Sequence, residues 1–544
     1  MHEQMSIKKQ ERAAGEFGAL DLGAAAASYR NYLNTFQIDA PLAASFINRV
    51  LAEGPMQLPP RVARLFEQAV KAAVQLSPFD PDILHIGGQT GLFPNIETVR
   101  KVLLATNPEP QVYEEVRHAL FKHHAEDIRK ICQGMLTRHP MAVVFADLLL
   151  RVDLYEGRAP DPLLQRFQCP RVLAPLWEKR RFDHFATMGD DANALPLWER
   201  VAPLAQGDSF TLSRAAELWR RQGDLDTCLE LYAQAQALDP LTTPYALRMQ
   251  ALRQPLVPNH ALVQEKSVCI CLYSFNKAQM LGETLESLAG CQIGPARILV
   301  LLNGCSDHSR EVVARARERF PHNALDILDL PVNVGAPAAR NWLLSQPAVQ
   351  QSEYVAFLDD DVYLQPDWLA HFLTVAEADP RIGNVGCKVV FPGEHALLQY
   401  LYRHVSVCTE QAIRVSLPTP YLQYDIGLYD VVRETRVVMG CQHLLRVAAL
   451  KDAPWFDIRY SPSQIDDTDH DLQLCLAGWK VWYCGTVTCV HRQNSGTSVR
   501  SALNWAGQGN VMGNDVKFYY KWLEHWQALR ALDSVGCTAL AQAE

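Results

Sequence analysis

Apolar positions follow two rhythms along the chain. Up to about residue 255 they recur every three or four residues, as in "VYEEVRHALFKHHAEDIRKICQGML" and "RAAELWRRQ". That spacing lines one face of a helix. Beyond it, short apolar runs alternate with helical patterns. "SVCICLY" precedes "AQMLGETLESLAG", "ARILVLL" precedes "SREVVARARERF", and "ALDILDL" precedes "APAARNWLLSQ". "YVAFL" precedes "PDWLAHFLTVAEA", and "NVGCKVVF" follows. Runs buried on both sides and separated by helices predict an α/β fold, with a mostly parallel sheet between helical layers. Between the rhythms, "RQPLVPNH" reads as a linker. The pattern predicts an all-α domain over 31–255 and an α/β domain over 256–535. Residues 1–30 carry little pattern and are expected to be a flexible segment, and 536–544 a short tail.

A repeat lies in the helical half. "GDDANALPLWERVAPL" from Gly189 and "GDLDTCLELYAQAQAL" from Gly223 are offset by 34 residues. Leu195 matches Leu229, Leu197 matches Leu231, Trp198 matches Tyr232, and Leu204 matches Leu238. A helix, a turn at Gly-Asp and a second helix packed on the first account for such a period. The pair resembles a tetratricopeptide repeat, whose stacks present a groove for a peptide or protein. An ordinary helical domain with a chance match is the alternative.

In a sheet with parallel strands, ligands bind beyond the carboxyl ends. Asp359, Asp360 and Asp361 follow "YVAFL" and so belong to that edge. Turn and helix-cap chemistry accounts for one or two aspartates. A third adds repulsion that a bound cation offsets. Further polar groups end the other strands: Ser274, Asn276 and Lys277, then Asn303 to Ser309 with Asp307, then "NVGAPAARN". In the last, Gly335 permits a tight turn and Arg340 lies in the helix that follows.

The order "VCICLYSFNKAQMLGETLESL", "ILVLLNGCSDHS", "NVGAPAARN", "YVAFLDDD" resembles the family 2 glycosyltransferases with the GT-A fold. Downstream, "VVMGCQHLLRVAALKDAPWFD" resembles their acceptor-side segment, "IDDTDHDLQLCLAGWKVWY" their "EDVDLSLRLRLAGY" motif, and "VTCVHR" the strand ending in a metal-side histidine. The resemblance covers about residues 266–520. It implies a nucleotide-sugar donor whose diphosphate is bound through Mn²⁺ or Mg²⁺. Asp359 then reaches the ribose or the metal, Asp361 ligates the metal, Asp360 stands between them on the donor side, and His491 is the third ligand. Ser274, Asn276 and Arg340 are expected around the donor. Leu302 stands where the family often has an aspartate for the base, which leaves Asn303 or Asp307 for that role. Inverting transfer needs one base on the acceptor side. The motif places Asp467 there, with Asp466 in place of a longer glutamate. Helix-terminus electrostatics accounts for Asp469 or Asp471. A calcium loop fails, because Leu472 stands where it needs glycine and Gly478 where it needs glutamate.

Composition narrows the alternatives. A net charge of −9 over 544 residues argues against a broad nucleic-acid surface. No run of 18 apolar residues exists, so no membrane span is expected. The basic start lacks the apolar core of a secretory signal. The 14 cysteines form no CxxC pair, which disfavours structural zinc and fits free thiols in the cytoplasm. A nucleotidyltransferase would want a glycine-rich loop after the first strand, and "LYSFNKAQM" has none. A non-catalytic sugar-binding scaffold would have lost its carboxylates, and they are present. The expected acceptor is a protein recruited by the helical domain, with a glycan or lipid-linked acceptor as the alternative. Between Gly393 and Glu434, Tyr421, Tyr424 and Tyr429 suit either stacking on a sugar or core packing.

Overall fold

The computed structural model describes residues 15–54, 58–93, 95–106, 112, 125–420, 423–492 and 505–532. The chain forms two compact units. One holds the sequence up to Arg253 together with 393–397 and 420–428, and the other holds the remainder. Two short segments from within the stretch expected to form the α/β domain thus belong to the helical unit. Residues 533–544, including the expected tail, lie outside the described residues, as do residues 1–14.

The helical unit is all-α among its described residues. Residues 22–30, inside the stretch expected to be flexible, begin the helix Leu22–Thr35, capped by the Asp21 carboxylate on the Ala24 N–H. Tyr29 of this helix is buried and stacks on Phe46 with ring centroids 4.4 Å apart. Its ring anchors a run whose alanines give little pattern. Further along, helices pair as hairpins: Ala174–Met188 with Asp191–Ala205, and Ser209–Arg221 with Leu225–Leu238. Each inner turn is made by a glycine with left-handed backbone, Gly189 (φ 72°) and Gly223 (φ 84°), which residues with a Cβ rarely adopt. The next residue caps the second helix: Asp190 accepts from the Asn193 N–H and Asp224 from the Thr227 N–H. Matched leucines 34 residues apart share their environment. Leu197 and Leu231 are both buried, and Leu204 and Leu238 are both exposed.

Segments 393–397 and 420–428 pack into this helical unit. The Asp425 N–H donates to the Ala396 carbonyl at 2.7 Å, and the Gln423 amide donates to the Gln37 carbonyl at 2.9 Å. Tyr424 lies against Tyr155 with ring centroids 4.6 Å apart. Tyr424 is therefore taken up by packing, and Tyr429, in the other unit, is buried. Tyr421 lies outside the described residues.

The α/β unit is built on a ten-stranded sheet. Its strands are β1 (Val268–Ser274), β2 (Arg297–Asn303), β3 (Leu325–Leu330), β4 (Tyr354–Leu358), β5 (Val362–Tyr363), β6 (Ile382–Val390), β7 (Leu398–Tyr400), β10 (Val432–Thr435), β11 (Gln442–Arg446) and β12 (Lys480–His491). A separate hairpin pairs β8 (Val405–Cys408) with β9 (Ile413–Val415). The main order is β10-β12-β6-β11-β4-β1-β2-β3. From β4 to β3 all pairings are parallel. β11 runs antiparallel to both β4 and β6, and β6 is parallel to β12. Two reversals cancel, so β12 points the same way as β4, and the carboxyl ends of β1, β2, β4 and β12 share one edge. The start of β11 lies there too.

Alternate residues of β1 serve opposite layers, as period-2 geometry requires. Ile270 and Leu272 join a core with Leu281, Leu285, Trp368 and Phe372, and Cys269 and Cys271 join one with Leu343 and Phe357. Every described cysteine is a free thiol. No helix among the described residues is long and apolar enough to cross a membrane.

Candidate active site

β4 is buried over its whole length, "YVAFL", and releases the chain at the shared edge. The aspartates that follow diverge. The Asp359 N–H donates to the Cys441 carbonyl at 2.9 Å, and its carboxylate accepts from the Tyr273 hydroxyl at 3.1 Å. Asp360 turns inward, taking the Ser274 hydroxyl at 2.6 Å and the Lys277 ammonium at 2.8 Å. Asp361 takes Lys277 on one oxygen at 3.1 Å and faces His491 Nε2 with the other, also at 3.1 Å. His491 arrives at the end of β12, paired in register with Val362 of β5. One ligand atom each from Asp359, Asp361 and His491 lie within 4.8 Å of one another. Two carboxylates and an imidazole, brought to one point from two strands, suit a divalent cation.

Arg340, buried in the helix Ala336–Leu344, joins this cluster to the acidic helix Asp466–Leu476. Its guanidinium bonds Asp466 at 2.6 Å and the Gly440 carbonyl at 3.2 Å, and lies 3.7 Å from Asp359. Asp467 is only partly buried. Its carboxylate accepts from the Gly440 N–H at 3.0 Å and the Thr468 N–H at 2.7 Å. Gly440 is required here, because a Cβ at that position would meet the Arg340 guanidinium at 2.7 Å and Asp467 at 3.0 Å. The turn into this helix is strained, with Gln464 and Ile465 both at positive φ.

Ser274, Arg340, Asp359, Asp360, Asp361, Asp466, Asp467 and His491 therefore converge. Asn276, Asn303 and Asp307 make a different set of contacts, tying loops at the same edge to one another. The Asn276 side-chain oxygen Oδ1 accepts from the Ser306 N–H at 2.7 Å. Asn303 accepts from the Val334 N–H and donates to Asn333, each at 2.9 Å. Asp307 accepts from the Ala278 N–H at 2.9 Å and the Ser309 hydroxyl at 2.6 Å. Lys277, Tyr273 and Gln399 are contributors to which the sequence assigns no role. Lys277 was legible as a cation beside three carboxylates at one sheet edge. Gln399 carried no local signal.

Residues 267–452 match the family model described as Glycosyl transferase family 2. This stretch is a family 2 glycosyltransferase domain. Asp466, Asp467 and His491 lie beyond the matched residues. A stretch of 122 residues is 24% identical to the poly-beta-1,6-N-acetyl-D-glucosamine synthase of Staphylococcus epidermidis, covering 22% of this chain and 28% of that protein. Among solved structures, the mannosyltransferase PcManGT from Pyrobaculum calidifontis, in complex with GDP-Man and Mn²⁺, is 17% identical with a TM-score of 0.33, over 58% of this chain and 88% of that one. S. aureus TarS 1–349 is 18% identical with a TM-score of 0.29, over 40% and 60% of the two chains.

The glycosyltransferase domain's edge has uneven electrostatics. Burial pushes the Asp360 carboxyl up to about 6, against the pull of Lys277. Burial acts the same way on Asp361, but His491 and Lys277 outweigh it and hold that carboxyl well below the usual range. Burial alone would lower His491. The Cys441 sulfur and the Asp361 and Asp359 carboxylates raise it instead to about 9. Asp466 is pushed up to about 6 by burial, against Arg340 beside it. Asp361 is thus the carboxylate of this edge most firmly kept anionic.

Proposed function

We propose that this chain transfers a sugar from a nucleotide-sugar donor to an acceptor hydroxyl, with inversion and with a divalent cation, Mn²⁺ or Mg²⁺. The observation that carries the reading is the convergence of Asp359, Asp361 and His491 with the partly buried Asp467 on one sheet edge of a family 2 domain. Asp359, Asp361 and His491 would hold the cation, which when bound neutralises charge developing on the leaving diphosphate. Asp467 accepts the proton of the acceptor hydroxyl. The freed oxygen forms a bond to the anomeric carbon as the bond to the diphosphate breaks on the opposite face. A single displacement needs one base. The pairing of Asp466 with Arg340 leaves Asp467 for that role. Ser274 and Lys277 hold Asp360 and so set the shape of the donor side.

The matched stretch spans 28% of the length of its curated relative, so donor and acceptor belong to this proposal. The hairpins offset by 34 residues support reading the helical unit as a tetratricopeptide-like stack that recruits a protein acceptor. Free thiols fit the cytoplasm as the compartment.

The test is turnover or hydrolysis of a panel of nucleotide sugars with Mn²⁺, with Mg²⁺ or with EDTA, for wild type and Asp361→Ala. One donor consumed only with metal, and not by the variant, is the expected result. Turnover that survives both EDTA and the variant would remove the metal from the mechanism.

A further inference from the structure

The side-chain amide of Gln399 meets His491 twice. Its Nε2 donates to the His491 carbonyl oxygen at 3.0 Å, and its Oε1 lies 2.6 Å from the ring Nδ1. A backbone carbonyl only accepts, so the first contact fixes which end of the amide is nitrogen. The other end is then oxygen, which also only accepts, so Nδ1 carries a proton. Nε2 is the ring atom left facing Asp361 at 3.1 Å and Asp359 at 3.8 Å. Gln399 is itself buried, at 3% exposure. It sits in the short strand β7, whose neighbouring residues Leu398 and Tyr400 pair with Val390 and Val389 of β6. The amide is therefore held from its backbone, and it holds the imidazole from the side away from the carboxylates.

We infer that Gln399 is a positioning residue. It keeps a proton on Nδ1 of His491 and fixes the ring orientation that turns Nε2 to the cation site of Asp359 and Asp361, where a bound cation would take the place of the Nε2 proton. The inference rests on the cation-dependent reading proposed above. Without the amide the ring has a second tautomer and a second rotamer open to it, and each lowers the fraction competent to ligate. Gln399 acts on the cation site through His491.

The test is the Mn²⁺ affinity of the full chain, read from the electron paramagnetic resonance signal of free Mn²⁺. Four proteins are compared: wild type, Gln399→Leu, His491→Ala and the double variant. Wild type is expected to bind, and Gln399→Leu to bind about 10- to 100-fold more weakly. The double variant should bind no more weakly than His491→Ala, because the amide has nothing left to act through. Gln399→Met keeps the length of the side chain without its amide and, at an unchanged melting temperature, should repeat the loss. Wild-type affinity in both Gln399 variants would overturn the positioning role and leave the cation site standing. A further loss of the same size on top of His491→Ala would also overturn it, since Gln399 would then be supporting the fold. No Mn²⁺ binding by wild type would overturn the cation reading and this inference together.

Discussion

Asp466 and Asp467 are adjacent in sequence and have different surroundings. Asp466 is buried against Arg340, and Asp467 is partly exposed and accepts from the Gly440 N–H. Replacing each with asparagine should therefore fail in different ways. Asp467→Asn is expected to lose about 10²- to 10⁴-fold in kcat with donor affinity and melting temperature unchanged. Asp466→Asn removes the anion paired with a buried guanidinium and should lower the melting temperature, because an uncompensated buried charge costs about 3–5 kcal/mol. Steady-state kinetics and thermal melts of the two variants check both. If Asp466→Asn alone abolished turnover in a fully folded protein, the roles would be exchanged. The aspartates were legible in the sequence because charges clustered at the end of a buried run have few bland explanations. Gln399 was not. It reaches His491 across 92 residues, and nothing in "ALLQYLY" distinguishes that glutamine from one facing water.

Elements were legible wherever a pattern is local. The short continuous apolar runs gave the strands of the parallel half, and the 3.6-residue spacing gave the helices. β11 was not legible as the strand that reverses direction between β4 and β6, because pairing partners 57 and more residues apart leave no mark on local hydrophobicity. Buried ion clusters between helices were equally silent. In the helical unit, Asp147 of the helix Val143–Tyr155 binds Arg180 at 3.0 Å and His184 at 2.9 Å, both on Ala174–Met188. Burial would raise the Asp147 carboxyl, but Arg180 and His184 outweigh it and hold it below its ordinary value. Burial, with Arg180 nearby, lowers His184. Both folded-state values then lie below the unfolded ones. Stability from this cluster is present above the unfolded values and lost as pH falls through the folded ones. The melting temperature should decline first below the ordinary histidine value of 6.5 and further below the aspartate value of 3.8. Melts of wild type and His184→Gln from about pH 2 to about pH 8 check this, and the variant should flatten the upper part of the decline. A wild-type profile flat to pH 5 would remove His184 from the account.

At the scale of the whole molecule, the helical unit is not one stretch of sequence, and a change of hydrophobic rhythm near residue 255 carries no sign of the segments that return to it. The helical unit is completed by 393–397 and 420–428. A Cβ at Gly427 would lie 2.8 Å from Glu217, which is itself paired with buried Arg248 at 2.8 Å. A fragment ending at Arg253 should therefore melt below the helical transition of the full chain. The loss of the Tyr424 ring from Tyr155 alone is worth about 0.5–1.5 kcal/mol as an aromatic pair. Differential scanning calorimetry of the fragment and the full chain checks this. Equal transitions would mean that the two segments contribute no stability to the helices.

The same three-part assembly sets an order of events during synthesis. Helices made first must wait for chain made much later, since the last piece of their unit ends at residue 428. At roughly 5–20 residues per second, translation from residue 254 to that point takes about 9–35 s. For that interval the face of Tyr155 is open while the sheet's first strands are leaving the ribosome. The amino-terminal half of this protein is thus a client of its own carboxyl-terminal half, and a nascent chain stalled before residue 420 would present an unfinished unit to the cell's chaperones.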